Sequence, residues 1–331
     1  MARTLRRAGL TLALPALVGA STLGHWLLAR RVEGLWIMPD EAIYAERALA
    51  LWRHGSLPIL HGRGVGYGLL YPVVAGLPLA VGSLGRGLAS LRLLQSLVMS
   101  LAAVPVFLYG RRLMPAPYAL AAAALTVCSP LLLYAGFVMT EVLFYPLAAL
   151  TLLAVARAVE TAGSRDQVVA LALIGAAVAT RAQAIVFVPV LGAAVLLDAL
   201  LARDRLRLRR FWPTWAILSL AAVITAAAPG VVGAYGQTLR GRYPVASALR
   251  LAYYHLAYLC LMTAAVPLAA LGVLLVDAVR GREREPGARA LLAVATCALA
   301  GVSLQVGLFA ARYAPHLLGR DLASLPPVLF L

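Results

Sequence analysis

Residues 139–156 read MTEVLFYPLAALTLLAVA, an apolar block in which Glu141 is the only charged side chain. An α-helix needs about 20 mostly apolar residues to cross the hydrocarbon core of a bilayer, so a block of this length suits a membrane span. Similar blocks recur along the 331 residues, of which 63% are hydrophobic and only 13% are charged. In a soluble domain about 25% of the residues are charged. The sequence therefore predicts an all-α fold, a polytopic transmembrane helical bundle.

The first apolar block, Ala8–Leu28, follows three arginines and has the general form of a signal peptide. It is longer than the apolar core of a signal peptide and no convincing small-residue cleavage site follows it, so we interpret it as a retained membrane helix. The stretch Tyr67–Val81, which prolines and a glycine interrupt, is predicted to be interfacial or re-entrant. Fuller spans are predicted at Leu88–Tyr109, Pro117–Tyr134, Met139–Ala156, Val168–Ala179 with Ile185–Leu200, Phe211–Val232, Ala248–Val279 and Ala288–Ala310.

Arginine clusters between the spans indicate the orientation, because short cytoplasmic loops of membrane proteins are enriched in basic residues. With the N-terminus in the cytoplasm, the clusters at residues 111–112, 157–165, 203–210 and 280–284 all fall inside. Residues 30–66 then form the first outer loop. We expect a multi-pass protein of the bacterial cytoplasmic (inner) membrane, with a single transmembrane domain over residues 1–331. Because residues 322–331 begin a further apolar segment, we expect this domain to be the N-terminal part of a longer protein.

The net charge of +16 does not indicate nucleic-acid binding, since the arginines lie between apolar blocks and form no basic domain with interleaved aromatic residues. Their expected partners are membrane lipid head groups and phosphates. Cys128, Cys260 and Cys297 lie in apolar blocks and, like the five histidines, lack the spacing of metal ligands. No cofactor is predicted, and a divalent metal is possible but not indicated by the sequence.

Residues 40–54 of the first outer loop, DEAIYAERALALWRH, are predicted to form a short amphipathic helix at the membrane surface. Pro39 suits the first helical position, and the two acids that follow it suit the dipole of the first turn. One face would be apolar and the arginines would lie on others. The apolar face would comprise Ala45, Leu49 and Trp52, and the other faces Arg47 and Arg53.

Asp40 and Glu41, at the start of this helix, have two interpretations. They are either an acidic helix start or carboxylates at the mouth of a membrane cavity, suited to general-base catalysis. Glu141, at the outer end of its apolar block, also has two. An acid inside a membrane costs about 2.5–3.5 kcal/mol on insertion scales and therefore usually faces a cavity or a partner. Alternatively, Glu141 is a helix-end acid at the interface.

Arg181 interrupts the apolar stretch GAAVATRAQAI, residues 175–185, and therefore needs an anion. One interpretation is a phosphate ligand, because a planar guanidinium suits bidentate contacts with phosphate. The other is a structural partner of Glu141 or Asp40. The sequence leaves both open.

Four motifs follow one another within residues 1–200: DEAIYAE at 40–46, YGRRL at 109–113, Ser129-Pro130 followed by Glu141, and G-x-x-x-x-T-R at 175–181. In their order and their side of the membrane they resemble the GT-C glycosyltransferase superfamily. Within it, the sequence is most similar to the protein O-mannosyltransferase and aminoarabinose-transferase type.

The resemblance implies transfer of a sugar, with inversion, from a polyprenyl-phosphate-linked donor to an acceptor on the outer face of the membrane. The acceptor would be a glycan, lipid or protein of the cell envelope. Asp40 would match the acid that deprotonates or orients the acceptor hydroxyl, with Glu41 as its neighbour and Glu141 as the acid of the second loop. Tyr44 and Arg181 would contact the substrate or the lipid phosphate.

This chain departs from the resemblance at two points. Ala182 follows Arg181 where related sequences have proline or glycine, and residues 64–72, GVGYGLLYP, lack a Lys-Pro-Pro-like element. Arg63 or Arg53 would have to supply the missing cation for the lipid phosphate. Arg320 is a further phosphate candidate, for which interfacial snorkelling is the alternative explanation.

Two other functions are compatible with the sequence. A transporter or flippase of lipid-linked substrates would also use broken helices and buried charges, but no inverted repeat is visible and the acids cluster at one face. A non-catalytic membrane scaffold would keep the fold without the activity.

Overall fold

The computed structural model describes residues 2–34, 38, 40–59, 62–63, 68–227, 242–282 and 285–331. Helices dominate the described chain, which confirms the predicted all-α class. The exception among these residues is a two-residue antiparallel pair in the first loop, β1 (Pro58–Ile59) and β2 (Gly62–Arg63). The chain divides into two compact units. The first comprises the described parts of residues 1–147 and 176–182, and the second those of 148–175, 183–229 and 237–331.

The first helix of the first unit is long, and the others are shorter. The helices are α1 (Ala2–Ala29), α2 (Asp40–His54), α3 (Leu70–Ala80), α4 (Leu84–Ser100), α5 (Ala103–Leu113), α6 (Ala116–Val127) and a 3-10 helix, Pro130–Gly136. The chain passes between the units within α7 (Glu141–Thr161) and α8 (Ser164–Thr180).

The second unit contains one long helix, α14, and several shorter ones. In order they are a 3-10 helix at Ala182–Val186, α9 (Phe187–Ala202), α10 (Leu206–Arg209), α11 (Trp212–Ala227), α12 (Val245–Met262), α13 (Val266–Val279), α14 (Pro286–Tyr313), a second 3-10 helix at Gly319–Leu322 and α15 (Pro326–Leu329). Small residues let α12 and α14 approach closely. A Cβ on Gly307 would lie 2.5 Å from the carbonyl oxygen of Ala248.

Within the described residues, six helices are long and apolar enough to cross a membrane. Helix α6 and the 3-10 helix that follows it bend by 50° at a break, and they make a seventh if the two count as one bent span. The others are Leu12–Ala29, Leu84–Leu113, Glu141–Thr161, Ala182–Ala202, Val245–Met262 and Pro286–Tyr313. The protein is therefore a multi-pass membrane protein.

One predicted span is wrong in its continuity. Residues 248–279 were expected to form a single span, but α12 and α13 are separate helices. The chain breaks at Ala264 and Ala265, whose φ angles are 55° and 60°. A single helix of that length would be about 48 Å long, whereas the hydrocarbon core is only about 30 Å thick.

Candidate active site

The side of helix α2 that is buried in its unit differs from the apolar face predicted for a helix at the membrane surface. Its buried face carries Glu41, Tyr44, Ala45 and Ala48, at the i, i+3, i+4, i+7 spacing of one helix side. Trp52, expected on the apolar face, is 45% exposed. Its indole nitrogen donates a hydrogen bond to the carbonyl of Val73 at the edge of α3 (3.1 Å).

Arg47, which was expected on a face of α2 other than the apolar one, is fully buried. Contact with α3 fixes the rotation of α2 about its own axis. Gly76 of α3 lies directly against Ala48 and Trp52, and a Cβ on Gly76 would overlap both. The acid of the first turn and the arginine therefore face the interior of the unit. A buried charged side chain needs polar partners, so the buried face of α2 must make polar contacts as well as pack against its neighbours.

The Glu41 carboxylate joins two backbone segments. Its Oε1 accepts a hydrogen bond from the amide of Met38 (2.9 Å), and its Oε2 accepts one from the amide of Val138 (3.0 Å). The side chain is buried. Hydrogen bonds to an ionised carboxylate are shorter and stronger than neutral ones. Glu41 therefore fastens the first turn of α2 to the segment that leads into α7.

Glu141, the first residue of α7, is buried and pairs with Arg181, which directly follows α8. Nη1 of Arg181 lies 2.6 Å from Oε1 of Glu141. Thr140 links the two side chains, since its hydroxyl donates to Oε2 of Glu141 (3.3 Å) and accepts from Nη1 of Arg181 (3.4 Å). Of the partners considered for Arg181 from the sequence, the structure shows Glu141.

Gly68 brings the chain back from the first loop to this ion pair. The amide of Leu69 donates to the carbonyl of Ala179 in the last turn of α8 (2.6 Å). A Cβ at Gly68 would overlap the carbonyl of Thr180 and lie 3.2 Å from the methyl group of Thr140. Only glycine fits this contact, which holds the end of α8 against the start of α7.

Tyr71 lies near enough to both Glu141 and Glu41 for their charges to act on its phenol. Burial raises the pKa of its phenol well above the ordinary value of about 10, and the negative charges of Glu141 and Glu41 raise this pKa further. The phenol therefore stays protonated, and it donates a hydrogen bond to Oε1 of Gln95 (2.5 Å). Its ring meets that of Tyr44 edge to face, with the centroids 5.7 Å apart.

This chain resembles known proteins in sequence over part of its length and in fold over most of it. Residues 71–230 match the family model of dolichyl-phosphate-mannose-protein mannosyltransferases. The fold is similar to that in the crystal structure of ArnT from Cupriavidus metallidurans in the apo state, with a TM-score of 0.65 and 18% sequence identity. The match to the mannosyltransferase family model thus covers a little under half of the chain, and the similarity to ArnT is one of fold. The ArnT similarity covers 95% of this chain but 57% of ArnT, so the chain spans little more than half of that protein. No curated protein sequence matches it.

The remaining candidate residues lie in different parts of the chain. Asp40 is the partly exposed first residue of α2. Arg53 is exposed in the last turn of the same helix, about 20 Å along the axis from Asp40 at 1.5 Å per residue. Arg63 belongs to β2, and its side chain lies outside the described part of the structure, as do Pro39 and residues 64–67. Arg320 belongs to the second unit, where its Nε lies 4.0 Å from Asp321.

Three residues of the site were not singled out from the sequence: Tyr71, Gln95 and Arg92. Arg92 and Gln95 lie on one side of α4, three residues apart, inside an otherwise apolar block. Two such polar side chains on one side of a helix were the signal from which these residues could have been found in the sequence. Arg92 also lies close enough to Glu41 for their opposite charges to attract.

None of the described residues form a group of three or more histidine, cysteine, aspartate or glutamate side chains that could hold an ion. The candidate site consists of carboxylates, guanidinium groups, a phenol and an amide. Such groups can move a proton and bind an anion.

Proposed function

We propose that this protein transfers a sugar from a polyprenyl-phosphate-linked donor to a hydroxyl group of an acceptor, with inversion at the anomeric carbon. The observation that carries the proposal is the hydrogen bond from the amide of Val138 to Glu41 (3.0 Å). This bond fastens the turn that bears Asp40 to the segment that leads into Glu141, the ion-pair partner of Arg181. A carboxylate that can accept a proton and a cation that can bind a phosphate thus belong to one cluster.

In the proposed reaction, the acceptor oxygen attacks the anomeric carbon while the bond from that carbon to the phosphate oxygen breaks. The acceptor's proton passes to Asp40, and the electron pair of the broken bond leaves with the polyprenyl phosphate. A single displacement of this kind inverts the anomeric carbon. Because an alcohol is a poor nucleophile at neutral pH, the general base contributes about 10²–10⁴-fold to the rate.

The three acids have different roles in this proposal. Both carboxylate oxygens of Glu41 accept backbone hydrogen bonds, so Glu41 is a positioning residue for its neighbour. Glu141 holds the guanidinium of Arg181 in one orientation. Asp40, partly exposed at the start of α2, is the general base.

Arg181 stabilises the leaving group. The phosphate gains negative charge as its bond to the sugar breaks, and a cation already held in place stabilises that charge without reorganising. Arg63 is proposed as a second phosphate ligand because β2 belongs to the first loop. This loop leads to Gly68, which lies beside Thr140. Tyr44, whose ring supports Tyr71, would shape the wall of the substrate site.

The location follows from the distribution of arginines. We propose that the protein lies in the bacterial cytoplasmic membrane with its N-terminus in the cytoplasm, and that the acids face the outer surface. The acceptor would then be an envelope glycan, lipid or protein. Arg53, at the other end of α2 from Asp40, and Arg320 would each contact a lipid phosphate.

The test is transfer in proteoliposomes that contain the purified full chain. Synthetic polyprenyl-phosphate mannose and polyprenyl-phosphate aminoarabinose would be supplied in turn with solubilised envelope acceptors, and mass spectrometry would follow the donor and the released polyprenyl phosphate. We expect one donor to be consumed and its sugar to appear on an acceptor. Movement of intact donor between leaflets without any cleavage would overturn the proposal in favour of a flippase.

A further inference from the structure

The four consecutive residues 135–138 have backbone groups bound by side chains of α2 and α4. Nε2 of Gln95 donates to the carbonyls of Ala135 (2.8 Å) and Phe137 (3.0 Å). Nε of Arg92 donates to the carbonyl of Gly136 (3.4 Å), and Oε2 of Glu41 accepts from the amide of Val138 (3.0 Å). We call residues 135–138 the clamped segment.

The clamped segment needs these side chains because it consists of the last two residues of a 3-10 helix and the two residues that follow that helix. It leads toward the start of α7, and Ala135, Gly136 and Val138 are buried. A buried backbone group without a partner is costly, above all in a membrane protein. Gln95 supplies two of the four bonds.

The orientation of the Gln95 amide is fixed by its partners. Both Ala135 and Phe137 offer carbonyl oxygens, which only accept hydrogen bonds, so the NH₂ group must point toward them. The amide oxygen then accepts from the phenol of Tyr71. One side chain thus connects α3, α4 and the clamped segment.

We propose that Gln95 is a positioning residue for sugar transfer, an inference that rests on the proposed function. The clamped segment leads through Met139 to Thr140 and Glu141, which hold Arg181. The same segment is tied through Glu41 to the turn of Asp40. Gln95 therefore fixes the distance between the base and the phosphate-binding cation without contacting the substrate.

Gln167 provides a matched control in the second unit. Its Nε2 donates to the carbonyls of Ala162 (3.1 Å) and Arg210 (3.0 Å), and its Oε1 accepts from the hydroxyl of Thr214 (2.7 Å). Gln95 and Gln167 are each 2% exposed. Replacing either by leucine removes the same three kinds of hydrogen bond, but only Gln95 holds the clamped segment.

The experiment compares Gln95→Leu with Gln167→Leu in the full chain, with turnover expressed per folded molecule. Folded protein is measured by size-exclusion chromatography and thermal unfolding. We expect both variants to lose stability, but only Gln95→Leu to lose kcat, by at least about 10-fold, since a misplacement of about 1 Å can cost up to 10²-fold. Its KM for the donor should change by less than about 3-fold, because the donor contacts are intact. Equal kcat in the two variants would overturn the proposal.

Hydrogen exchange gives a second measurement that does not depend on transfer. Gln95→Leu should speed amide exchange across residues 135–141, and Gln167→Leu should leave that region unchanged. If the wild-type protein transfers no sugar but this exchange pattern holds, the proposed function fails while the clamp stands. Unchanged exchange in Gln95→Leu would refute the clamp itself. Gln95→Met, unbranched and similar in length, replaces Gln95→Leu with the same expectations if the leucine variant does not fold.

Discussion

Arg181 and Glu141 form an ion pair with 2.6 Å between Nη1 and Oε1, and the carboxylate in it is buried. Each residue lies at the end of an apolar helix, where a lone charge would be costly. The pair explains how both charges are tolerated. It also holds a guanidinium in one orientation, which is what a phosphate ligand needs.

The first prediction separates the structural role of this pair from its role in transfer. Arg181→Gln leaves the buried Glu141 carboxylate without its guanidinium and should cost about 3–5 kcal/mol of stability. The double variant Arg181→Gln with Glu141→Gln removes both charges and should recover most of that loss in thermal unfolding. It should still transfer sugar at least about 10-fold more slowly, because the cation that stabilises the leaving phosphate is absent.

The outcome for the double variant decides the matter. Wild-type transfer by a well-folded double variant would show that the pair serves packing alone. Recovery of stability without recovery of transfer supports the phosphate-binding role of Arg181.

The second prediction concerns the contact made by Gly68. Gly68→Ala places a Cβ against the carbonyl of Thr180 and should cost about 1–3 kcal/mol, as overpacking does. Transfer should fall as well, because the end of α8 carries Arg181. Gly85→Ala is the control, since nothing lies within 4 Å of a Cβ at Gly85. Equal unfolding temperatures for the two variants would contradict the close contact at Gly68.

Part of this structure could be predicted from the sequence, because the relevant signals are local. Long apolar stretches predict helices in a membrane, where every backbone group must be paired internally. The start of α2 at Asp40 was equally accessible, since acids are favoured in a first helical turn. Arg181 was recognised because a charge stands out in an apolar block.

The rotation of α2 and the clamped segment could not be predicted, because their causes lie far away in the sequence. Arg47 faces inward because α2 packs on Gly76 of α3, a contact that the pattern of α2 does not encode. Gln95 binds backbone carbonyls of Ala135 and Phe137, and a backbone partner leaves no mark in the sequence. The chain also breaks at Ala264 and Ala265, where no glycine in the sequence indicates a break.

The third prediction concerns orientation in the membrane. In a background with Cys128, Cys260 and Cys297 replaced by alanine, a cysteine introduced at Ser56 should react with an impermeant maleimide in intact cells. One introduced at Asp204 should react only after the cells are opened. The reason is the enrichment of arginine in cytoplasmic loops, which places residues 203–210 inside. The reverse labelling pattern would move the acids to the cytoplasmic face.

The last prediction concerns Asp40, on which the proposed mechanism depends. Asp40→Asn keeps the size of the side chain and its ability to accept hydrogen bonds at the start of α2, but it removes the base. Stability should therefore change little, while transfer in proteoliposomes should fall at least about 100-fold, the lower end of general-base effects. Glu46→Gln is the matched control, because Glu46 is an exposed acid of the same helix and its variant removes the same charge. Glu46→Gln should transfer at the wild-type rate. If Asp40→Asn also retains that rate with lipid-linked donor present, Asp40 is only an acid at a helix start, and the proton must go to another group.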